Sequence, residues 1–478
     1  MSGFIEGENR HQSVLFPESL DDYIAEDSGV RVIDVFIDDL DVSGLGFKTD
    51  PADTGRPGYH PRMMLKLYVY GYLNRVQSSR RLECEAQRNV ELMWLTGRLS
   101  PDHKTIANFR KDNGQAIRLV CREFVMLCKK LNLFADAFVA IDGSKFKAVN
   151  TRDRNFTKAK MKRRLQQIDE SIERYLGQIA SADRQEVATA SNKVGRLEDK
   201  IGALKKEMER LKKLDVRMLA TPDQQISLTD PDARSMATSG RGSGMVGYNV
   251  QTAVDAKHHL IVAHEVTNIG TDRRQLHNMA SLAKKVIGTD HLRVVADRGY
   301  FKGEEILACD EASITTYLPR PQTSGNVKKG MFSKRDFIYH AEDDEYECPD
   351  GERLEWRFET EEKEQTVHKY WTSACTHCSV KSLCTTSKYR RITRWEYEEV
   401  IEALEARLDH DPDRMRARRE TVEHPFGTIK SWMGYTHFQM KTLPHVSTEM
   451  SLHVLAYNMK RLINLFGVEG LIAKMQAA

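Results

Sequence analysis

No stretch of this chain approaches the roughly 20 consecutive apolar residues that span a bilayer, and its mean hydropathy is -0.54. The first residues, MSGFIEGENR, lack a basic segment followed by an apolar one. No secretory signal is therefore expected, and the expected setting is cytoplasmic, away from membranes. The sequence also lacks an excess of one charge. Its 72 Lys and Arg against 69 Asp and Glu leave +3, so net charge alone says little about a polyanionic partner. A disulfide framework is lacking too. Of eight cysteines, Cys84, Cys121, Cys128 and Cys309 are scattered and read as core or free thiols. What is present suits a soluble globular protein with a sizeable core: 40% hydrophobic and 29% charged residues. At roughly 150 residues per domain, the length suggests about three structural units.

Positive charge is clustered. Lys158–Arg164 (KAKMKRR), Lys388–Arg394 (KYRRITR) and Arg414–Arg419 (RMRARR) could each neutralise phosphates. Any one alone reads as a solvated face; three shift the balance modestly toward nucleic acid.

Residues 1–132 read as a helical domain. Helical spacing follows Pro61 in Tyr59–Val76, and Ser79–Asn89 and Pro101–Lys111 are two more helices. Their basic edges allow a DNA-binding helix-turn-helix, with a plain helical domain about equally favoured. The pattern then changes. Phe138–Asp142 is a short buried strand; Tyr248–Asp255 and His259–Val266 are two more; Gln275–Ile287 is a helix; Leu292–Asp297 is another buried strand. That is an α/β core, expected over 133–465 with a tail at 466–478. Two insertions interrupt it. In 156–222, apolar residues at heptad spacing (Leu165 to Ile179, Val194 to Leu211) flank a polar break at Ala180–Ser191, which predicts an antiparallel helical hairpin. In 311–395, Cys348, Cys375, Cys378 and Cys384 fall within a polar, strand-rich stretch.

Two apolar strands end in aspartate: Asp142 before Gly143, and Asp297 before Arg298-Gly299-Tyr300. One such end is ordinary turn chemistry. Two favour a shared carboxylate site, because functional groups collect at the carboxyl ends of strands in open α/β sheets. A third acid, Glu423, lies in RETVEHPFGTIK. On a helix turning about 100° per residue it sits about 40° from Arg419, with Lys430 about 20° to the other side. A carboxylate for metal and two cations for phosphate would share a face; the bland alternative is a surface ion pair. Pro425 requires either a helix starting near Thr421 or a kink.

These segments resemble the DDE transposases of bacterial insertion sequences, in the group whose third motif reads Tyr-x2-Arg-x3-Glu-x6-Lys. Arg419, Glu423 and Lys430 match its last three positions, and Arg416 stands at the tyrosine position. The DGSK at Asp142 and the ADRGY at Asp297 resemble the first and second motifs, and PDHKTIANFR resembles the end of the preceding helical domain. The resemblance runs from about Tyr59 to Leu465. It implies a ribonuclease H-like catalytic core that binds Mg²⁺ (or Mn²⁺) through Asp142, Asp297 and Glu423. Asp142 would bridge two ions, and Arg419 and Lys430 would position phosphates. It further implies cleavage of element terminal repeats, joining to target DNA, and a homodimer or larger assembly on DNA ends.

Grouped cysteines in a chain without a signal peptide suggest metal rather than disulfides. Cys375 and Cys378 form a C-x2-C half-site, Cys348 sits in a turn-like CPDG knuckle, Cys384 completes a zinc set, and His377 is a spare ligand. Other classes stay open. A catalytically inactive transposase-derived DNA-binding protein fits everything except the retained acids. A structural coiled coil leaves the aspartates unexplained. In a zinc hydrolase, four cysteines would close the metal shell.

Overall fold

The computed structural model describes residues 19–50, 57–149, 154–182, 188–237, 244–321, 325–362 and 365–477. The MSGFIEGENR segment, the middle of the polar break and Ala478 lie outside them. No helix among the described residues is long and apolar enough to cross a membrane. In chain order the elements begin with α1 (Gly29–Asp39), α2 (Pro61–Leu73), α3 (Ser79–Arg88), α4 (Val90–Thr96), α5 (His103–Asp112) and α6 (Gly114–Lys130). There follow β1 (Phe138–Lys147), β2 (Asn155–Thr157), α7 (Lys158–Ala182), α8 (Ala188–Leu219), β3 (Gln225–Ser227), β4 (Arg234–Ala237), β5 (Gly244–Asp255) and β6 (Ile261–Thr267). Next come α9 (Leu276–Ile287), β7 (Leu292–Val295), α10 (Gly303–Glu311), β8 (Ile314–Tyr317), β9 (Ile338–His340), β10 (Glu345–Glu347), β11 (Arg353–Glu362) and β12 (Gln365–Trp371). The chain closes with α11 (Lys381–Cys384), β13 (Ile392–Trp395), α12 (Glu398–His410), α13 (Asp413–Gly427) and α14 (Leu443–Ala477). Contacts divide it into two units: Met1–Asp136, Asp142–Gly270 and Thr421–Ala478 form one, and Ala137–Ile141 with Thr271–Glu420 the other.

The first unit is organised around α14. Its residues from Val446 to Met459 are buried almost without interruption, packed by α1, α2, α6 and β6. Burial on every side is eased because several of its polar members find partners. Asn458 accepts from the Ile261 amide and donates to the Ile261 carbonyl, both at 2.9 Å, extending the β6 ladder onto a helix. Glu449 accepts the amides of Gln439 and Met440. Arg110 of α5, also buried, donates to the Tyr72 hydroxyl at 2.7 Å. At α5, Asp102 caps the helix by accepting from the amides of Lys104 and Thr105. The predicted hairpin is formed by α7 and α8, which pack through Met161, Ile168, Leu211, Leu214 and Met218 with Leu165, Ile172, Leu204 and Met208 against them. The antiparallel β2–β3 pair closes its root. Gly247 of β5 passes so close to β1 that a Cβ there would stand 2.0 Å from the Phe146 carbonyl oxygen, so no side chain fits.

The second unit holds β7 between β1 and β8, both parallel to it. Its other sheet is antiparallel, in the order β13-β12-β11-β10-β9. Phe337, Tyr346, Leu354, Tyr370, Cys384 and Ile392 form a small core under that sheet. Buried Glu398 is held by Arg320 at 2.9 Å and Lys334 at 2.6 Å.

Four expectations need correction. β1 does not stop at Asp142 but runs to Lys147, because distant segments supply its partners: β5, and the Thr436–Phe438 backbone, which bonds Lys147 on both sides. Asp297 lies outside the strand that ends at Val295 and caps a short 3-10 turn. The second insertion cannot begin at Glu311, since Ile314–Tyr317 pairs residue for residue with β7. Residues after Leu465 are not a tail; α14 continues to Ala477 across a break at Gly467.

Candidate active site

In the first unit, Asp142 is half-buried on β1, its Oδ1 accepting the Gly143 amide at 2.9 Å. The ammonium of Lys430 donates to the Ser144 hydroxyl at 2.5 Å and to the Lys145 carbonyl at 3.1 Å, and lies 4.6 Å from the Phe146 ring centre. Burial pulls the Lys430 pKa below the usual lysine range, and the charge of Asp142 opposes that shift. So two of the residues singled out from the sequence share one neighbourhood. Glu423 is exposed on α13 and makes no hydrogen bond or ion pair among the described residues.

Pro425 sits inside α13, so the helix neither starts at Thr421 nor stops at the proline. The winding changes just beyond. Thr428–Trp432 is a π turn in which Met433 donates to the Thr428 carbonyl, five residues back, at 2.8 Å. Such turns are rare and gather at functional sites.

In the second unit, Asp297 Oδ1 accepts the Gly299 amide at 2.7 Å. A Cβ on Gly299 would meet that oxygen at 2.8 Å, which accounts for the glycine in ADRGY. The guanidinium of Arg418 stands 3.8 Å from Asp297 Oδ2. Sequence spacing singled out Arg419 instead; Arg419 is exposed and pairs with nothing among the described residues. Arg416, at the tyrosine position, forms a surface pair with Glu420 at 3.1 Å. Only the rotation of the helix distinguishes Arg418 from Arg419 within RMRARR, and Pro425 had left that rotation open. The β1–β7 register runs Phe138↔Arg293, Val139↔Val294, Ala140↔Val295. Asp142 and Asp297 therefore each follow the same final rung by two residues.

Among the described residues, no three His, Cys, Asp or Glu side chains form a ready metal-binding group. Cys348, Cys375, Cys378 and Cys384 nonetheless line one small cavity of about 20 Å³, with Asp350 beside them. Burial raises the thiol pKa of Cys384, and the neighbouring cysteines add to the rise. The knuckle forms as predicted: Gly351, at φ +81°, donates to the Cys348 carbonyl. His377 does not line that cavity.

Residues 136–459 match the family model described as Transposase DDE domain, more than half of the chain, and residues 18–112 match one described as Transposase domain (DUF772). The chain belongs to the DDE transposases. It is a DNA transposase, and the family's enzymes are metal-dependent nucleases. No curated protein matches it. Among solved structures, the "Cryo-EM structure of piggyBac transposase synaptic complex with hairpin DNA (SNHP)" is similar at 8% identity and a TM-score of 0.32, over 94% of this chain and 79% of that one. That likeness is too distant to argue from.

Proposed function

We propose that this transposase cuts the ends of its own element and joins them to target DNA, with Asp142, Asp297 and Glu423 as ligands of Mg²⁺ or Mn²⁺. The donor chemistry fits: three carboxylates are hard oxygen ligands suited to ions that also keep positions for water and phosphate. Two such ions, when bound, would stabilise the attacking and leaving oxygens of an in-line displacement. The observation that carries the reading is the common rung from which Asp142 and Asp297 both depart. The strand order supports it too. Read through β1, the core strands run β6-β5-β1-β7-β8, the third, second, first, fourth and fifth core strands in chain order, with β4 added on β5. In it the first and fourth core strands are neighbours, as the family resemblance implies for the strands that bring two of the acids together. Lys430 would hold a phosphate oxygen close to Asp142, keeping the scissile phosphate in line with its attacker. Arg418 would orient Asp297, and exposed Arg419 would meet the DNA backbone. The helical domain over 18–112 would contribute to DNA binding, and work on two ends would call for a homodimer or larger assembly.

The test is cleavage of duplexes carrying the element ends, with Mg²⁺, by wild type and by the Asp142→Asn, Asp297→Asn and Glu423→Gln proteins. Loss of cutting with retained DNA binding is expected; binding persists because phosphate contacts come from other residues. Wild-type cutting by all three variants would overturn the assignment. DNA binding by the wild type without cutting under any divalent ion would favour the inactive DNA-binding reading.

For the cysteine-rich region we propose a structural zinc ion held by Cys348, Cys375, Cys378 and Cys384. The shared cavity supports it, and four thiolates would leave no open position for chemistry. Metal analysis of protein purified without chelator should give one zinc per chain, lost in the Cys375→Ser/Cys378→Ser protein.

A further inference from the structure

The root of the helical hairpin has a feature that the catalytic reading leaves unused. A cavity of about 730 Å³ opens there, lined by Arg154, Phe156, Lys160, Arg164, Glu207 and Arg210 among others. The cations arrive from three pieces of chain: Arg154 just before β2, Lys160 and Arg164 from α7, and Arg210 from α8. Against them stands one acid, Glu207, and it is occupied. Both of its oxygens are taken by the Arg210 guanidinium at 2.7 Å. The Lys160 ammonium is braced by the Asn155 carbonyl at 3.0 Å and lies 5.3 Å from the Phe156 ring centre. Four cations against one acid therefore face a single cavity.

The cations converge from separate pieces of chain rather than from one run, and Arg154, Arg164 and Arg210 are exposed and open to a partner. The apolar sides of α7 and α8 are consumed in the hairpin core, which includes Phe156 itself, and the β2–β3 pair pins the ends. Lys160 and Arg164 are four residues apart, so their Cβ atoms lie about 5–6 Å from one another on one helix face. That spacing suits successive phosphates along a strand.

The chain path supplies the second argument. Arg154 follows Lys147, the last residue of β1, by seven residues, a reach of at most about 25 Å. The cavity is therefore tethered to the strand that carries Asp142 and to the Lys430 contact at Ser144, all within one unit.

We propose that the hairpin root is a second DNA site, gripping the sugar-phosphate backbone of duplex DNA beside the bond being cut. The ligand is recognised by charge and spacing and not by base identity. The proposal rests on the chain acting on DNA, but not on which carboxylates hold metal.

Since such contacts are indifferent to sequence, a 30-base-pair duplex of mixed sequence serves as probe. Its affinity for the full chain is measured by fluorescence anisotropy between 50 and 200 mM salt. Each lost phosphate contact should remove about 0.9 from the salt slope. Over that fourfold range, Arg154→Gln/Arg164→Gln protein should therefore lose about 12-fold less affinity than wild type does. Glu207→Gln should act in the opposite direction, since it leaves Arg210 without its carboxylate partner, and should steepen the loss by about threefold. Circular dichroism checks folding; if the double variant unfolds, Glu207→Gln decides alone. Slopes equal to wild type in the folded variants overturn the site. Asp142→Asn should keep the wild-type slope while losing cleavage. If it still cuts, the carboxylate assignment fails and the salt comparison stands unaffected.

Discussion

The two units support their aspartates by different means. In the first, Asp142 lies within a continuing strand, and its neighbour cation is a lysine that burial has made easier to deprotonate. Behind Lys430, the Thr436–Phe438 backbone bonds to the end of β1, and the Gln439 and Met440 amides are held by Glu449. Glu449 is fully buried, with burial raising its pKa and the Arg110 charge opposing the rise. In the second unit, Asp297 stands past the end of its strand and bends back to cap a turn, and its cation is an arginine 3.8 Å away. That unit's buried acid, Glu398, is held directly by two cations and has its pKa lowered despite burial. One unit therefore relies on a deep, sparsely paired interior and the other on close ion pairs. The lesson is that equivalent chemical groups tolerate opposite electrostatic surroundings when the backbone fixes their direction.

The sharpest test of equivalence is catalytic. Asp142→Asn and Asp297→Asn each keep an oxygen to accept the glycine amide, so geometry survives while the charge proposed to bind metal is lost. Each should lower single-turnover cleavage by about 10³-fold or more, the worth of several kcal/mol of metal-centred stabilisation. A large loss in one and none in the other would break the parallel.

Next come the supports. Removing one member of a buried charge pair costs about 3–5 kcal/mol, because the other is left unpaired. Glu398→Ala strands Lys334 and leaves Arg320 only its longer pair with Glu405 at 3.4 Å, and should fall in that range in denaturant unfolding. Arg110→Leu should cost less if the tyrosines and backbone amides, rather than Arg110, carry Glu449. A cost equal to that of Glu398→Ala would erase the contrast.

The cations should differ as well. Lys430→Ala should slow single-turnover cleavage at saturating DNA by about 100-fold, the cost of a misplaced reacting group. Arg418→Ala should slow it less, and Arg419→Ala should chiefly weaken binding by about one phosphate's worth of salt slope. If Arg419→Ala slows chemistry more than Arg418→Ala does, the structural choice between the two arginines is wrong.

The smallest effect is that of pH. His453 is fully buried between Tyr72 and Tyr435, with no hydrogen-bond partner for either ring nitrogen among the described residues, and its pKa is held well below the ordinary histidine range by burial, with Arg110 adding to it. Its folded-state pKa is lower than its unfolded one, so the unfolded chain takes up the proton first. The stability His453 contributes is thus complete above about pH 6.5 and lost as pH falls, by up to about 1.4 kcal/mol per pH unit. His453→Phe should flatten the acid limb of the unfolding curve; an unchanged limb would place the histidine elsewhere.

Much of the architecture was legible because it rests on local pattern. The heptads of Leu165 to Leu211 read most simply as a hairpin, with an intermolecular coiled coil as the alternative, and the apolar runs at Phe138 and Leu292 read as buried strands. What escaped depends on residues far apart in sequence. Nothing near Gly143 announces that Thr436–Phe438 will pair with the end of β1, and Ile314–Tyr317 carries too short a pattern to show as a core strand. Arg110 read as a basic helix edge because its counterpart, Glu449, lies more than 300 residues away. Of the candidate site, the acids and Lys430 were visible through their motifs, whereas Arg418 depended on helix rotation.

The π turn at Thr428–Trp432 gives the motif spacing another meaning. Between Glu423 and Lys430 the winding changes pitch, so their seven-residue separation specifies an angle as much as a distance. Deleting Thr428 or Ile429, ahead of the lysine, would leave it six residues after Glu423 and turn it by roughly one residue's winding, up to about 100°. The surplus residue behaves as an adjusting screw: it sets where one ammonium points while the helix before it keeps its course.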